Sequence, residues 1–180
     1  RRSCERLARA VELYSRDCYS LSVSVTVDKK VIPPGEDEHL SAAWELKERI
    51  REDEDLLKQR WGFFADAYRR STVYAYLDGD TLIGFAAARR DGYLLFLAVD
   101  PDYRAEGYGE RLVACVAEDN DTITCHARTT NENALAFYQH LGFSIVRRIE
   151  NYYEDGAPAF YLRLGDGEDL VERISEFFRR

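Results

Sequence analysis

The segment from residue 93 to Gly109 restricts the possible folds more than any other part of this chain. Residues 93–99 are almost wholly apolar, which predicts a strand that is buried on both faces. The strand leads into Arg104-x-x-Gly107-x-Gly109, and apolar residues at helical spacing follow. A glycine turn between a strand and a helix directs several backbone N–H groups at one point, as a bound pyrophosphate requires. An ordinary structural turn has the same short pattern, so the segment alone does not decide between the two.

Apolar periodicity predicts alternating helices and strands along the rest of the chain. Before residue 93 the pattern predicts a helix over 3–17, a strand over 20–27, helices over 41–59 and 61–70, and strands over 72–78 and 81–90. After Gly109 it predicts a helix, strands over 122–128, 143–150 and 158–164, a helix that Asn131 caps and Gly142 ends, and a final amphipathic helix within 165–180.

The order of these elements predicts an α+β fold, with a central mixed, mostly antiparallel sheet and helices on both of its faces. Asp78-Gly79-Asp80 is a hairpin signal, and the last two strands also follow each other directly. Both features disfavour a doubly wound parallel sheet. We expect three parts: an N-terminal helical extension (1–19), a central domain (20–164) and a C-terminal amphipathic helix (165–180).

The composition argues against several classes of partner. A formal net charge of -8 disfavours nucleic acid, whose binding depends on neutralising phosphates. No apolar run reaches the roughly 20 residues of a membrane span. The charged first ten residues do not resemble a secretory signal. Because the chain does not begin with Met, we expect that the native start lies outside it.

The cysteines predict a reducing compartment. Cys4, Cys18, Cys115 and Cys125 form no C-x-x-C pair, and neither they nor the three histidines have metal-ligand spacing. Cys115 and Cys125 lie in apolar stretches, where free thiols behave as small buried side chains. We therefore expect no metal site and a cytoplasmic location.

Two motifs carry a resemblance to a known family. The first is Val99-x-Pro101-x-x-Arg104-x-x-Gly107-x-Gly109. The second is Asn131-x-x-Ala134-x-x-Phe137-Tyr138-x-x-Leu141-Gly142-Phe143. Together, in this order and at this spacing, they resemble the GNAT acetyltransferase superfamily, and the resemblance covers about residues 72–164.

The resemblance implies that acetyl-CoA is the co-substrate. The end of the central strand would line the pantetheine arm, and the glycine loop would surround the pyrophosphate. Tyr138 would lie near the thioester sulfur, where a phenol can protonate the departing thiolate. A core aromatic is the alternative role for this residue. The implied cofactor-binding residues are Leu97, Ala98, Val99, Arg104, Ala105, Glu106, Gly107, Tyr108, Gly109, Glu110, Asn131, Ala134 and Tyr138.

Two carboxylates depart from the family pattern. Glu106 and Glu110 lie in a loop that is commonly basic in such enzymes, and a carboxylate beside a pyrophosphate repels it unless it points outward. This departure bears on the affinity for the cofactor more than on its identity.

Tyr93 and His126 are the candidate base pair. An amine must be neutral to accept an acetyl group, and histidine titrates in the required range. Some protein N-terminal acetyltransferases have a histidine at the matching position, with a tyrosine on the central strand. The resemblance thus implies that Tyr93 and His126 act together through an ordered water. A structural role for His126 is the alternative.

Aromatic residues mark the predicted acceptor side. Tyr152 and Tyr153 lie between the last two strands, and protein N-terminal acetyltransferases often have such a pair to bind the substrate backbone. An aromatic clasp of the hairpin would need the same residues. Leu95 is a further predicted substrate contact. The opposite wall is expected to come from Phe63, Phe64 and Tyr68.

These expectations define an enzyme that transfers acetyl from acetyl-CoA to a primary amine. The preferred acceptor is a protein or peptide N-terminal α-amine. The alternatives are a small-molecule amine, a lysine side chain, or a domain that binds acetyl-CoA without catalysis. We expect a monomer or a homodimer.

Overall fold

Two antiparallel sheets form the frame of the molecule. The computed structural model describes residues 27–54, 56 and 58–165. Four strands pair in the order β1-β2-β3-β4 and three in the order β5-β7-β6. The strands are β1 (Val27–Ile32), β2 (Thr72–Asp78), β3 (Thr81–Ala88), β4 (Leu94–Val99), β5 (Ile123–Arg128), β6 (Ser144–Ile149) and β7 (Ala159–Leu164).

Helices cover both faces of this frame. The α-helices are α1 (Leu40–Glu54), α2 (Trp61–Arg69), α3 (Tyr108–Glu118) and α4 (Glu132–His140), and a 3₁₀ turn spans Pro101–Tyr103. On one face, α1 and α2 bury a cluster that includes Phe64, Phe85 and Phe96. On the other, α3 and α4 pack with both sheets around Leu112 and Leu162. The predicted fold class, a mostly antiparallel sheet between helical layers, is confirmed.

In the part of the chain that the structure describes, the backbones of the two sheets pair at one bridge, Tyr93–Thr124. Tyr93 and Thr124 form an isolated parallel bridge, and the Thr124 N–H donates to the Gly92 carbonyl over 3.1 Å. We call this contact of Gly92 and Tyr93 with Thr124 the seam. Beyond the seam, β4 and β5 belong to different sheets, so their facing edges keep unpaired peptide groups. The separation of these two strands is what creates room for a ligand.

Two predicted boundaries are wrong: the end of the first strand and the end of α1. The first described strand is Val27–Ile32, whereas the prediction placed a strand over 20–27, most of which lies outside the described residues. It is an edge strand, and its solvent-facing Lys29 and Lys30 hide the alternation. Helix α1 ends at Glu54 and not at residue 59, because the acidic run Glu52-Asp53-Glu54 opposes the helix dipole at its C-terminal end.

Strand β4 is also less buried than predicted. Leu94, Phe96 and Ala98 are buried, while the alternate residues Leu95, Leu97 and Val99 are half-buried. These three residues pack against the edges of the two core clusters and also line a cavity, which leaves them partly exposed. The predicted helices over 3–17 and within 165–180 lie outside the described residues.

Gly92 should be essential to the seam. Its φ is +75°, and a Cβ atom there would lie 2.0 Å from the Thr122 carbonyl oxygen. We expect Gly92→Ala to lower the free energy of unfolding by more than about 2 kcal/mol, since the backbone of one sheet must move. Urea denaturation measures this loss.

Gly79→Ala is the matched control. Gly79 also has a positive φ, of +57°, but nothing lies within 4 Å of its Cβ position. It should lose only the conformational term of about 1 kcal/mol. Equal losses in the two variants would contradict the steric role of Gly92.

Candidate active site

A cavity of ≈ 1030 Å³ occupies the space between β4 and β5. Its lining contains every predicted catalytic residue, every predicted cofactor-binding residue except Glu106, and Leu95, Tyr152 and Tyr153 of the predicted acceptor side. The seam between the sheets thus brings together residues that are separated by up to sixty positions in the chain. This volume lies at the upper end of the range of about 300–1,000 Å³ that is typical of small-molecule and cofactor sites.

One end of the cavity is the N-terminus of α3. Gly107 is the N-cap residue, has a φ of 83° and makes no side-chain cap hydrogen bond. The first helical bond runs from the Arg111 N–H to the Gly107 carbonyl over 3.1 Å. The backbone N–H groups of Tyr108, Gly109 and Glu110 come earlier and have no carbonyl one turn back. This end therefore offers a cluster of donors suited to an anion.

Gly109 serves packing more than ligand approach. A Cβ atom at this position would lie 3.0 Å from the Phe137 ring of α4. The second glycine of the motif thus lets α3 and α4 come close together. The sequence pattern by itself does not distinguish this role from contact with a ligand.

Charged groups near this end are engaged with each other. Arg104 forms an ion pair with Glu54 and donates from Nε to the Val99 carbonyl over 3.4 Å. Glu106 is exposed and does not line the cavity, whereas Glu110 does. The structure therefore separates the two carboxylates: only Glu110 faces the donors of α3.

Tyr138 projects from α4 into the middle of the cavity lining. It is 8% exposed, and its hydroxyl lies near the buried thiol of Cys125. Burial raises the pKa of Tyr138 well above its usual value, so the phenol keeps its proton at any physiological pH. A protonated phenol at this position is a hydrogen-bond donor and a source of one proton.

Asn131 caps the N-terminus of α4. Its Oδ1 accepts from the Ala134 N–H over 3.0 Å, which confirms the predicted N-cap. The side-chain oxygen is therefore occupied, although Asn131 and Ala134 both line the cavity.

Tyr93 and His126 meet across the seam. The Tyr93 hydroxyl lies 2.6 Å from His126 Nδ1. Burial, and secondarily the charge of Arg147, lower the pKa of His126 below its ordinary value. The imidazole is therefore neutral at pH 7 and can accept a proton.

Tyr152 completes this group. Its ring stacks on His126, with centroids 4.3 Å apart and an interplanar angle of 15°. Its hydroxyl lies 3.2 Å from that of Tyr93. The predicted candidate base pair and one predicted substrate-binding tyrosine thus form one cluster.

Arg128 is a cavity residue that sequence reasoning missed. It stacks over the Tyr153 ring at 4.0 Å and donates to both carboxylate oxygens of Asp155, at 2.9 and 3.1 Å. These contacts hold the β6–β7 loop against β5. Its position two residues after His126 on a strand was the available signal, because such residues share a face.

The opposite wall differs from the prediction. Phe63 lines the cavity and is 56% exposed, but Phe64 and Tyr68 are core residues, only 0% and 1% exposed. Helical spacing puts Phe64 and Tyr68 on the face that packs on the sheet. The segment before Phe63 is fastened by the buried Lys47, which donates to the Gln59 carbonyl over 2.6 Å.

Both motifs lie in a segment that is similar to a known family. Residues 69–145 match the family model of the acetyltransferase (GNAT) domain. The matched segment includes both motifs and the point at which β4 and β5 separate.

The chain is also similar in sequence to curated proteins that are named N-alpha-acetyltransferases. The chain is 40% identical over 80 residues to N-alpha-acetyltransferase 30 of Xenopus laevis, an alignment that covers 42% of this chain and 29% of that protein. It is 32% identical over 100 residues to N-alpha-acetyltransferase RimI of Mycobacterium tuberculosis, covering 50% of this chain and 63% of the other. The chain thus spans less than a third of the first relative's length.

The solved structures agree on the fold. The crystal structure of Ard1 from Thermoplasma volcanium superposes with a TM-score of 0.63 at 21% identity. The match covers 78% of this chain and 97% of that one.

Neither metal ligands nor membrane spans stand out in the described part of the chain. No three His, Cys, Asp or Glu side chains there are grouped as metal ligands would be. No helix described is both long and apolar enough to cross a bilayer.

The protonation of His126 can be measured directly. We expect its imidazole to titrate below pH about 6.5 in an NMR titration, because burial disfavours the charged form. Since the unfolded chain then binds more protons than the folded one, stability should fall as the pH drops below about 6.5.

Arg147→Gln should raise the His126 titration midpoint, because the charge of Arg147 lowers this pKa. Arg148→Gln is the control: Arg148 follows on the same strand, points to the other face and pairs with Glu150. An equal shift in both variants would contradict the assignment.

Proposed function

We propose that this protein transfers the acetyl group of acetyl-CoA to a primary amine, and that the acceptor is the N-terminal α-amine of a protein or peptide. The observation that carries the proposal is the Tyr93–His126 contact of 2.6 Å in the same cavity as Tyr138 and the N-terminus of α3. One cavity thus holds a base, an acid and an anion-binding end.

The cavity fits acetyl-CoA along its length. The N–H groups at the start of α3 suit a pyrophosphate, and the unpaired edge of β4 at Leu97 to Val99 suits the amides of a pantetheine arm. Bound there, acetyl-CoA supplies an activated acetyl thioester. The same edge peptide groups are placed to stabilise negative charge that develops on the acetyl oxygen.

The residues of the chain then divide the proton transfers. The Tyr93–His126 pair accepts the proton that the acceptor amine must lose. Tyr138, which is buried and protonated, donates to the departing thiolate. The likeness to N-alpha-acetyltransferases supports an α-amine as the acceptor. Tyr152 and Tyr153 line the acceptor side, and Leu95 contributes to it.

The buried free thiols Cys115 and Cys125 fit a reducing compartment, and we infer a cytoplasmic location.

The function is tested by mass spectrometry of the products formed from acetyl-CoA. A set of peptides with free N-termini is compared with the same peptides blocked at the N-terminus but carrying lysine, and with free polyamines. Acetylation confined to free N-termini supports the proposal. Turnover of blocked peptides or polyamines would favour the lysine or small-amine alternative. Acetyl-CoA binding without any turnover would identify a non-catalytic domain.

Tyr138→Phe should lower kcat by about 100-fold, because the leaving thiolate loses its proton donor. The dissociation constant for acetyl-CoA should change little, since the ring remains. Tyr76→Phe removes a phenol that lies near Cys115, outside the cavity, and serves as the control. Stopped-flow turnover with calorimetric binding separates the two quantities, and an unchanged kcat would exclude Tyr138 as the acid.

Glu110→Gln should tighten acetyl-CoA binding about fivefold at low salt, because it removes a negative charge of the cavity lining beside the pyrophosphate site. Glu106→Gln should have a smaller effect, as that side chain is exposed. Isothermal titration at two salt concentrations measures both. A larger gain from Glu106→Gln would contradict the placement of the two carboxylates.

A further inference from the structure

Three polar atoms form a line from the acceptor side of the cavity into the protein. The Tyr152 hydroxyl lies 3.2 Å from the Tyr93 hydroxyl, which lies 2.6 Å from His126 Nδ1. Tyr152 is 40% exposed. The line therefore begins at an accessible phenol and ends at a ring nitrogen.

His126 has no other accessible nitrogen. Its Nε2 is buried and has no hydrogen-bond partner among the residues that the structure describes. A proton can therefore reach the ring only at Nδ1, and the Tyr93 hydroxyl already occupies that position. The Tyr93 hydroxyl in turn lies next to the Tyr152 hydroxyl.

We propose that Tyr152 is a further catalytic residue, which takes the proton of the acceptor ammonium and relays it through the Tyr93 hydroxyl to His126 Nδ1. The proposal rests on the function proposed above and adds the order of the groups. It replaces a purely substrate-binding role for the Tyr152 hydroxyl.

The transfer balances as three concerted proton shifts. The ammonium N–H bond breaks as the Tyr152 oxygen gains that proton. Tyr152 gives its own proton to the Tyr93 oxygen, and Tyr93 gives its proton to Nδ1. The products are a neutral amine, two intact phenols and an imidazolium, and the same line returns the proton to solvent after the product leaves.

The groups around Tyr93 and His126 favour proton transfer through Tyr93 over a stable charge on it. Burial raises the pKa of Tyr93, so this phenol stays protonated and passes protons without holding a charge. The charged or titratable groups that face Tyr93 are Arg89 over its ring at 5.3 Å, Asp91, which accepts from its backbone N–H, and Cys125, Tyr138 and Tyr153. Tyr161 and Arg147 lie beside His126. The charge of Arg147 disfavours a lasting imidazolium, which helps return the proton.

The geometry is also preorganised. Tyr152 stacks on His126, and its backbone N–H donates to the Ala157 carbonyl over 3.2 Å. Asp155 of the same loop is held by Arg128. The phenol therefore keeps its distance from Tyr93 without a substrate present.

The pH dependence of the rate defect separates a relay from a binding hydroxyl. A relay matters while the acceptor is an ammonium and becomes dispensable above the α-amine pKa of about 8. A hydrogen bond to the substrate backbone matters equally at every pH and appears mainly in KM.

The test is the rate of peptide acetylation by Tyr152→Phe between pH 6 and 9.5, a variant that keeps the stacked ring. We expect kcat/KM about 100-fold below wild type at the acid end, narrowing to within about threefold at the alkaline end. Tyr93→Phe, which breaks the middle of the line, should show the same profile. Tyr153→Phe, in the same loop but outside the line, should show a defect that does not vary with pH.

The double variant Tyr152→Phe/His126→Ala gives a second readout. Members of one relay are non-additive, so its defect at acid pH should equal that of His126→Ala alone. A pH-independent defect, a change confined to KM, or additive losses would overturn the relay while wild-type turnover upholds the proposed function. Failure of the wild type to acetylate any α-amine would overturn both.

Discussion

The backbone contact between the two sheets at Gly92 and Tyr93 is the constraint on which the rest of the structure depends. One carbonyl, that of Gly92, and one bridge hold β4 against β5, and the strands then separate. If the pairing continued, the cavity would be filled by a ladder of hydrogen bonds. If it were lost, only side-chain packing in the core shared with α3 and α4 would hold the two sheets together. A side chain at Gly92 has no room, so the chain conformation and the cavity are determined at the same place.

The seam also determines the chemistry of the cavity. Tyr93 is the last residue before β4, and His126 is the second residue after Thr124 on β5, so the bridge sets the distance between their side chains. Burial on both sides of the contact then keeps the imidazole neutral and the phenol protonated. The packing that positions Tyr93 and His126 therefore also shifts their pKa values.

Charges within the cavity are balanced by internal partners. Glu54 from the end of α1 neutralises Arg104, and Asp155 from the β6–β7 loop neutralises Arg128. In each pair, a loop residue is joined to a residue of a helix or a strand. The ion pairs therefore order the two sides of the cavity, and Glu110 is the lining carboxylate that faces the start of α3.

Short sequence patterns were enough to predict several caps and turns of the structure. The Asn131 cap, the hairpin at Gly79 and the glycine turn at Gly107 depend on neighbouring residues, so they could be predicted from short patterns. The resemblance of two motifs placed nearly all the cavity residues together. Arg128 and Glu54 were missed because their partners lie far away in the chain, and no local pattern records a distant ion pair.

The sequence by itself determined the fold class, the anion-binding turn and the set of residues from which the candidate site is built, because periodicity, capping and turn chemistry act over a few residues. Only the tertiary structure decided which of these side chains face the cavity. It placed Phe64 and Tyr68 in the core, turned Glu106 outward and Glu110 inward, and brought Tyr152 onto His126. These outcomes depend on the angle at which two sheets diverge and on helix phase against them, quantities that no short stretch of sequence contains.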